Sequence, residues 1–238
     1  MQFEPAAGLP GDLSGVALAK PEALAESGAA GYAQTSQDLF LAPRAEPHLA
    51  GFFADEIVEA SRLPVRLVSA GPAFRREAGG GGAAGRGLLR LHEFPTVEVY
   101  VFCRPDQAEA QLAHAVAAAE TILARLEVPH RRRLRPAPGL SRAAAKTIDL
   151  EVWAPGMKQW LAVAALSYFT DYQSRRTNTR FSSPGPVAPP RLVHTLGGAA
   201  VALPHLVAAM LENGQEADGS VRLPPALRPY FGEETLHA

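Results

Sequence analysis

Between Phe74 and Phe94 the chain reads FRREAGGGGAAGRGLLRLHEF. Arg75 and Glu77 stand one residue apart, a glycine–alanine tract follows, and Arg86, Arg90, His92 and Phe94 close the stretch. Acid and base side by side, a flexible tether and a distant aromatic ring raise the question of a ligand. Taken alone, Arg-x-Glu beside a glycine-rich loop is commonplace and names none. The other chemistry-bearing residues point less far. His48, His92, His114, His130, His194, His205 and His237 share no His-x-x-x-His spacing, so no metal site is expected. Cys103 is the single cysteine, which excludes an intrachain disulfide and a cysteine-held zinc; at a strand end it reads as a small buried hydrophobe. Arg131, Arg132 and Arg133 read as a solvated face, and Trp153 and Trp160 as core.

These residues need elements to position them. VRLVSAGPAFRRE (65–77) and GLLRLHEFPTVEVYVFC (87–103) read as two strands of a long antiparallel hairpin around the 78–85 loop. The loop's glycines carry the largest backbone entropy cost of ordering. PDQAEAQLAHAVAAAETILARLEV (105–128) is the clearest helix, with apolar residues recurring on one face after a Pro-Asp start. Leu49, Phe52, Phe53, Ile57 and Val58 have helical spacing, which predicts a helix over 45–64 ending before Pro64. Strands are expected at 38–43, 130–138 (with a turn), 146–155 and 159–169. Residues 191–215 are expected to pass from a strand through a small-residue turn to a helix from about Leu203. A short helix is expected at KPEALAES (20–27). Strands and helices mix without regular βαβα alternation, which predicts an α+β fold built on an antiparallel sheet.

Composition sets the outer bounds. The 238 residues are 47% hydrophobic and 20% charged, with a formal net charge of −1. That is ordinary for a globular protein, suits a single domain over 1–238, and gives no bulk argument for nucleic acid. No stretch of ~20 apolar residues is free of charge, so no membrane span is expected. The first residues, MQFEPAAGLPGDLSG, lack a basic region followed by an apolar run, so no signal peptide is read and a cytoplasmic location is expected.

The order of motifs resembles the catalytic domain of seryl-tRNA synthetase, a class II aminoacyl-tRNA synthetase, over roughly residues 17–232. FRREAG…RGLLRLHEF resembles class II motif 2. AAAKTIDLEVWAPG (143–156) is similar to the family's SAAKTYDLEVWLPG, and DYQSRRTNTRF (171–181) to DFQARRMNIRY. Residues 193–232 follow motif 3 and the family's C-terminus. The resemblance implies the class II catalytic fold, an antiparallel sheet flanked by helices. It implies that Arg75 meets the ATP α-phosphate and the substrate carboxylate, that Glu77 contacts the adenine side, and that Phe94 stacks on adenine. An arginine fork suits both a phosphoryl oxygen and the charge that develops during adenylation. The loop between would approach the tRNA acceptor end.

The departures are equally specific. PRAEPHL (43–49) stands where the family has PTAEVPL, so Arg44 replaces the threonine that helps seat serine, while Glu46, which matches a residue near the substrate amino group, is kept. Ala162 stands at the glutamate that holds the ATP-bound metal, Ala164 and Ala165 at two serines, and Tyr168 at an asparagine. In motif 3, Gly197, Ala199 and His205 replace asparagine, serine and arginine. Mg²⁺ requires carboxylates beside the phosphate oxygens. Losing one preorganised charge at a transition state costs about 3–4 kcal/mol, so losing two predicts adenylation lower by about four decades. The tRNA-binding coiled-coil arm and most of motif 1 are not recognised, which removes the family's route to tRNA, leaves its homodimer open, and suggests a protein partner at the motif 1 surface. Arg44 is expected to fill the serine pocket, paired with Glu46 on the same strand face or with a small acidic ligand.

Three functions follow as expectations. The first is a diverged, pseudoenzyme-like binding or regulatory subunit without ordinary serine charging, with weak or lost ATP and Mg²⁺ binding and no zinc. The second is an ATP-dependent ligase that adenylates an acidic or unusual amino acid and passes it to a carrier protein, a small molecule or a tRNA. The third is a seryl-tRNA synthetase proper. Catalysis would fall to Arg75, nucleotide binding to Arg75, Glu77 and Phe94, and the substrate pocket to Arg44, Glu46 and His205.

Overall fold

A computed structural model describes residues 33–34, 40–76, 87–182 and 188–237. Glu77, the 78–85 loop and the expected helix at 20–27 lie outside the described residues. Six strands form the main sheet: β1 (Val65–Phe74), β2 (Glu93–Cys103), β3 (His130–Leu134), β4 (Lys146–Ala154), β5 (Gln159–Thr170) and β6 (His194–Ala202). Their order is β1-β2-β6-β5-β4-β3, and every pairing is antiparallel. This is the α+β class II architecture expected. β1 and β2 pair along their lengths, from Val65 opposite Phe102 to Phe74 opposite Glu93.

Alternation along β2 divides the core. Val101 and Cys103 face helices α2 (Ala108–Arg125) and α3 (Leu203–Gly214), which cover one side of the sheet. Leu112, Val116 and Leu123 recur on one stripe of α2 and are buried against Leu150, Val163 and Leu196. Tyr100 and Phe102 point to the opposite side, into an aromatic cluster with Phe53, Phe169 and Phe181. Among the described residues, no helix is long and apolar enough to cross a membrane.

Three local expectations are corrected. The segment 45–64 is not one helix. Helix α1 spans only Glu46–Ala50, a 3-10 turn follows at Gly51–Phe53, and Ile57–Glu59 is a strand parallel to Arg180–Ser182. Gly51 is a poor helix former and Asp55 takes φ 61°, which a continuing helix does not allow. The apolar spacing is met instead by wrapping the segment over the aromatic cluster, with Phe53 and Val58 buried. Glu46 therefore begins a helix and does not share a strand face with Arg44.

The small residues at 197–200 lie within β6 rather than forming a turn. They are small because neighbouring strands come close: a Cβ on Gly197 would meet the Val99 carbonyl oxygen at 2.6 Å, and one on Gly198, at φ 137°, the Ala165 carbonyl oxygen at 2.2 Å. Finally, β2 begins at Glu93, and Gly87–Leu89 is a 3-10 turn.

Candidate active site

A cavity of about 290 Å³ opens where β2, β5, β6 and the start of α3 converge. Arg75 reaches it from just beyond β1, and Phe94 from the start of β2. The Arg75 guanidinium carbon lies 5.2 Å from the Phe94 ring centroid, a cation–π distance. The Arg75 main chain is anchored by its N–H donating to the His92 carbonyl at 2.8 Å. Arg44 and His205 line the same cavity. Four of the six residues singled out by sequence thus share one space. Glu46 lies immediately beside it, its Oε2 3.7 Å from Arg44 Nη1.

The polar end is richer than the sequence suggested. Glu98 on β2 lines the cavity at 2% exposure and accepts the Glu46 main-chain N–H at 2.9 Å. Gln173, just before the short helix Ser174–Thr177, joins the rest. Its Nε2 donates to Glu46 Oε1 at 2.9 Å, while its Oε1 accepts the Tyr100 hydroxyl at 2.6 Å and the Thr195 hydroxyl at 2.8 Å. Burial raises the pKa of Glu46; the Arg44 charge and the Gln173 hydrogen bond oppose this without cancelling it. Burial also raises Glu98. Arg44 lowers it, the neighbouring Glu46 carboxylate raises it further, and the main-chain N–H groups of Glu46 and Ala45 offset part of the rise. Two carboxyl groups that resist ionisation, with one partly exposed arginine between them, form an end to which a ligand ammonium would bring compensating charge.

Ala162, Ala164 and Ala165 on β5, Ala199 and Ala202 on β6, and Pro204 also line the cavity, with Ala199 the strand partner of Glu98. His205 is turned to the backbone: Nδ1 lies 2.9 Å from the Ala162 carbonyl oxygen and Nε2 3.2 Å from that of Leu89. His205 therefore links the turn at Gly87–Leu89 to β5 across the cavity.

Glu98 and Gln173 escaped the sequence reading. Glu98 carried a usable signal, since a carboxylate inside the alternating apolar run VEVYVF must either face a site or be paired. Gln173 carried none, because its partners lie on other strands. Cys103 and the 131–133 arginines behave as read, whereas Trp153 and Trp160, expected in the core, are only half-buried and stand outside both core clusters. Cys103 is fully buried, and burial pushes its thiol up to about 12. Arg131 and Arg133 pair with Glu151, Arg132 with Glu120, and Arg135 with Asp149. The Trp153 and Trp160 rings lie 5.4 Å apart, with Arg131 over Trp160 at 4.2 Å. Among the described residues, no group of three or more His, Cys, Asp or Glu side chains is placed to hold a metal ion.

Comparison with known proteins agrees with this architecture. Residues 32–214 match the family model described as tRNA synthetase class II core domain (G, H, P, S and T). The serine–tRNA ligase of Gemmatimonas aurantiaca is 47% identical over 205 residues, covering 86% of this chain and 48% of that protein. That of Thermomicrobium roseum is 44% identical over 201 residues, covering 84% and 45%. The chain spans about half the length of the curated relatives it matches. Among solved structures, seryl-tRNA synthetase from Pyrococcus horikoshii complexed with ATP superposes with a TM-score of 0.83 at 37% identity, covering 89% of this chain and 47% of that one. Cytoplasmic serine–tRNA ligase from Naegleria fowleri in complex with AMP gives 0.80 at 26% identity, covering 91% and 52%. Motif order, sheet order and these matches agree: the chain belongs to the class II tRNA synthetase core family.

Proposed function

We propose that this chain is a diverged core of the seryl-tRNA synthetase type that binds a nucleotide and an amino acid but does not activate serine at ordinary synthetase rates. One observation carries the reading: the cavity has a charged, hydrogen-bonded cluster at Arg44, Glu46, Glu98 and Gln173, and Ala162, Ala164, Ala165 and Ala199 line it at the positions where the family carries polar groups or their neighbours. The cluster suits the amine of an amino acid. Arg75 and Phe94 suit a phosphate and a flat ring, in keeping with the ATP and AMP held by the two solved relatives. Those alanines offer nothing to stabilise charge that develops on a triphosphate during adenylation. Pairing of Arg44 with Glu46 already meets the arginine's charge, which leaves a ligase for acidic amino acids without specific support.

Amino-acid-dependent ATP–pyrophosphate exchange tests the reading. Serine is expected to give no exchange above background. Exchange near the rate of an ordinary synthetase overturns it in favour of the second reading, a catalytic core that charges serine, which the 47% and 44% identities to serine–tRNA ligases favour. Exchange with another amino acid alone would instead revive the ligase of altered substrate.

A further inference from the structure

The first turn of α3 places His205 between two main-chain oxygens that a neutral ring cannot both satisfy. Nδ1 lies 2.9 Å from the Ala162 carbonyl oxygen on β5, and Nε2 3.2 Å from the Leu89 carbonyl oxygen in the turn Gly87–Leu89. A carbonyl oxygen only accepts. A neutral imidazole carries one N–H, so one contact is then a hydrogen bond and the other sets lone pairs against each other. The imidazolium carries two N–H groups and makes both bonds, and bonds from a charged donor are the stronger kind. The segment held in this way is small. Gly87–Leu89 is a single 3-10 turn, Gly87 takes φ 59°, and β2 begins only at Glu93. Leu88, Leu89 and Arg90 line the cavity, so the turn is part of its rim.

Other charges face the ring from the elements around it. Arg90 after the turn, Arg75 beyond β1 and Arg44 before α1 share the cavity and oppose a second proton, as does the N-terminal end of α3. Glu98 on β2 favours it. On β4, Glu151 lies opposite Ala162 and is held by Arg131 at 2.7 Å and Arg133 at 3.0 Å. His92, between the turn and β2, has Nδ1 3.2 Å from the Arg75 carbonyl oxygen. The two carbonyls act on His205 at hydrogen-bond distance, whereas solvent entering the cavity screens the arginines.

We propose that His205 is a proton-operated latch on the cavity rim: the doubly protonated ring ties the turn Gly87–Leu89 to β5, and loss of one proton releases the turn. The latch is closed in acid and loosens as pH rises through the ring's own titration. Histidine is the side chain suited to such a change near neutral pH. The inference does not depend on which ligand the cavity takes.

Nitrogen NMR of the His205 ring in the full chain, together with amide hydrogen-exchange protection factors over residues 88–91, decides it. On the acid side both ring nitrogens are expected to carry protons. Protection over 88–91 is expected to fall ~10-fold or more as one proton is lost. His205→Gln, which can donate through its amide but does not titrate, is expected to abolish that change. A ring that stays singly protonated throughout the folded pH range overturns the proposal, as does protection that does not follow the ring's titration. A pH-dependent protection that persists in His205→Gln also overturns it, and assigns the dependence to His92 or Glu98. The two measurements on the parent chain decide alone if the variant fails to fold.

Discussion

Arg44 Nη1 lies 3.7 Å from Glu46 Oε2, and Glu46 in turn gives its main-chain N–H to the buried Glu98 carboxylate at 2.9 Å. One cation therefore serves two carboxyl groups. The Arg44 side chain is 40% exposed, so the ion pair by itself is worth at most about 1 kcal/mol. Its larger effect is on the ionisation of two buried acids. Arg44→Thr is expected to cost about 1 kcal/mol at neutral pH and less in acid, where both carboxyls are protonated and need no cation. Urea unfolding at the two pH values checks this; an equal loss at both would mean that Arg44 acts through packing.

Glu98 gives the second pH test. Its folded-state pKa lies above the ordinary carboxylate value, chiefly through burial. For an acid raised in this way, the contribution to stability is fully present below the unfolded pKa and is lost as pH rises through the folded one. Glu98→Gln keeps an acceptor for the Glu46 N–H and removes the charge. The melting temperature of the variant relative to the parent should therefore climb with pH, from the ordinary glutamate range up through the raised value. A difference that stays flat across that window would exclude the buried carboxyl as its source.

Gln173 holds three elements together through Tyr100, Thr195 and Glu46. Gln173→Ala strands the hydroxyl of Tyr100, a residue with no exposed surface. The expected loss is roughly 2–4 kcal/mol, since stranded buried donors and acceptors forfeit their full desolvation cost. A lower urea midpoint at unchanged m-value is the readout.

Restoring the family's motif 3 asparagine is expected to fail. A Cβ at Gly197 meets the Val99 carbonyl oxygen at 2.6 Å and Tyr100 Cδ2 at 2.9 Å, so the neighbouring strand must move. Gly197→Asn should destabilise by about 2–3 kcal/mol, as overpacked core sites do, and should not raise pyrophosphate exchange with serine. A variant as stable as the parent would show that β2 yields easily.

Much of the fold was legible because it is written in short-range periodicity. Alternation placed 65–77 near Val65–Phe74, 146–155 near Lys146–Ala154 and 159–169 near Gln159–Thr170, while a four-residue stripe placed 105–128 near Ala108–Arg125. Over 45–64 the same kind of signal misled. Apolar spacing there serves contact with Phe102 and Phe181 from distant parts of the chain, and contact outweighs local propensity.

For the site, the sequence by itself determined the chemistry available: motif order identified the family, and the substituted positions showed which charges are missing. It also offered Glu46 as a partner for Arg44, although the expected shared strand face is absent and the pair forms at the start of α1 instead. Only the tertiary structure decided which groups meet. Glu98, Gln173 and Thr195 are brought together by the β2-β6-β5 order of the sheet and the turn that follows β5, and the His205 ring is set between a carbonyl on β5 and another in the turn at Leu89. Hydrogen bonds need donor and acceptor about 3 Å apart with suitable alignment. Across strands that condition depends on sheet order and register, and spacing along the chain encodes neither.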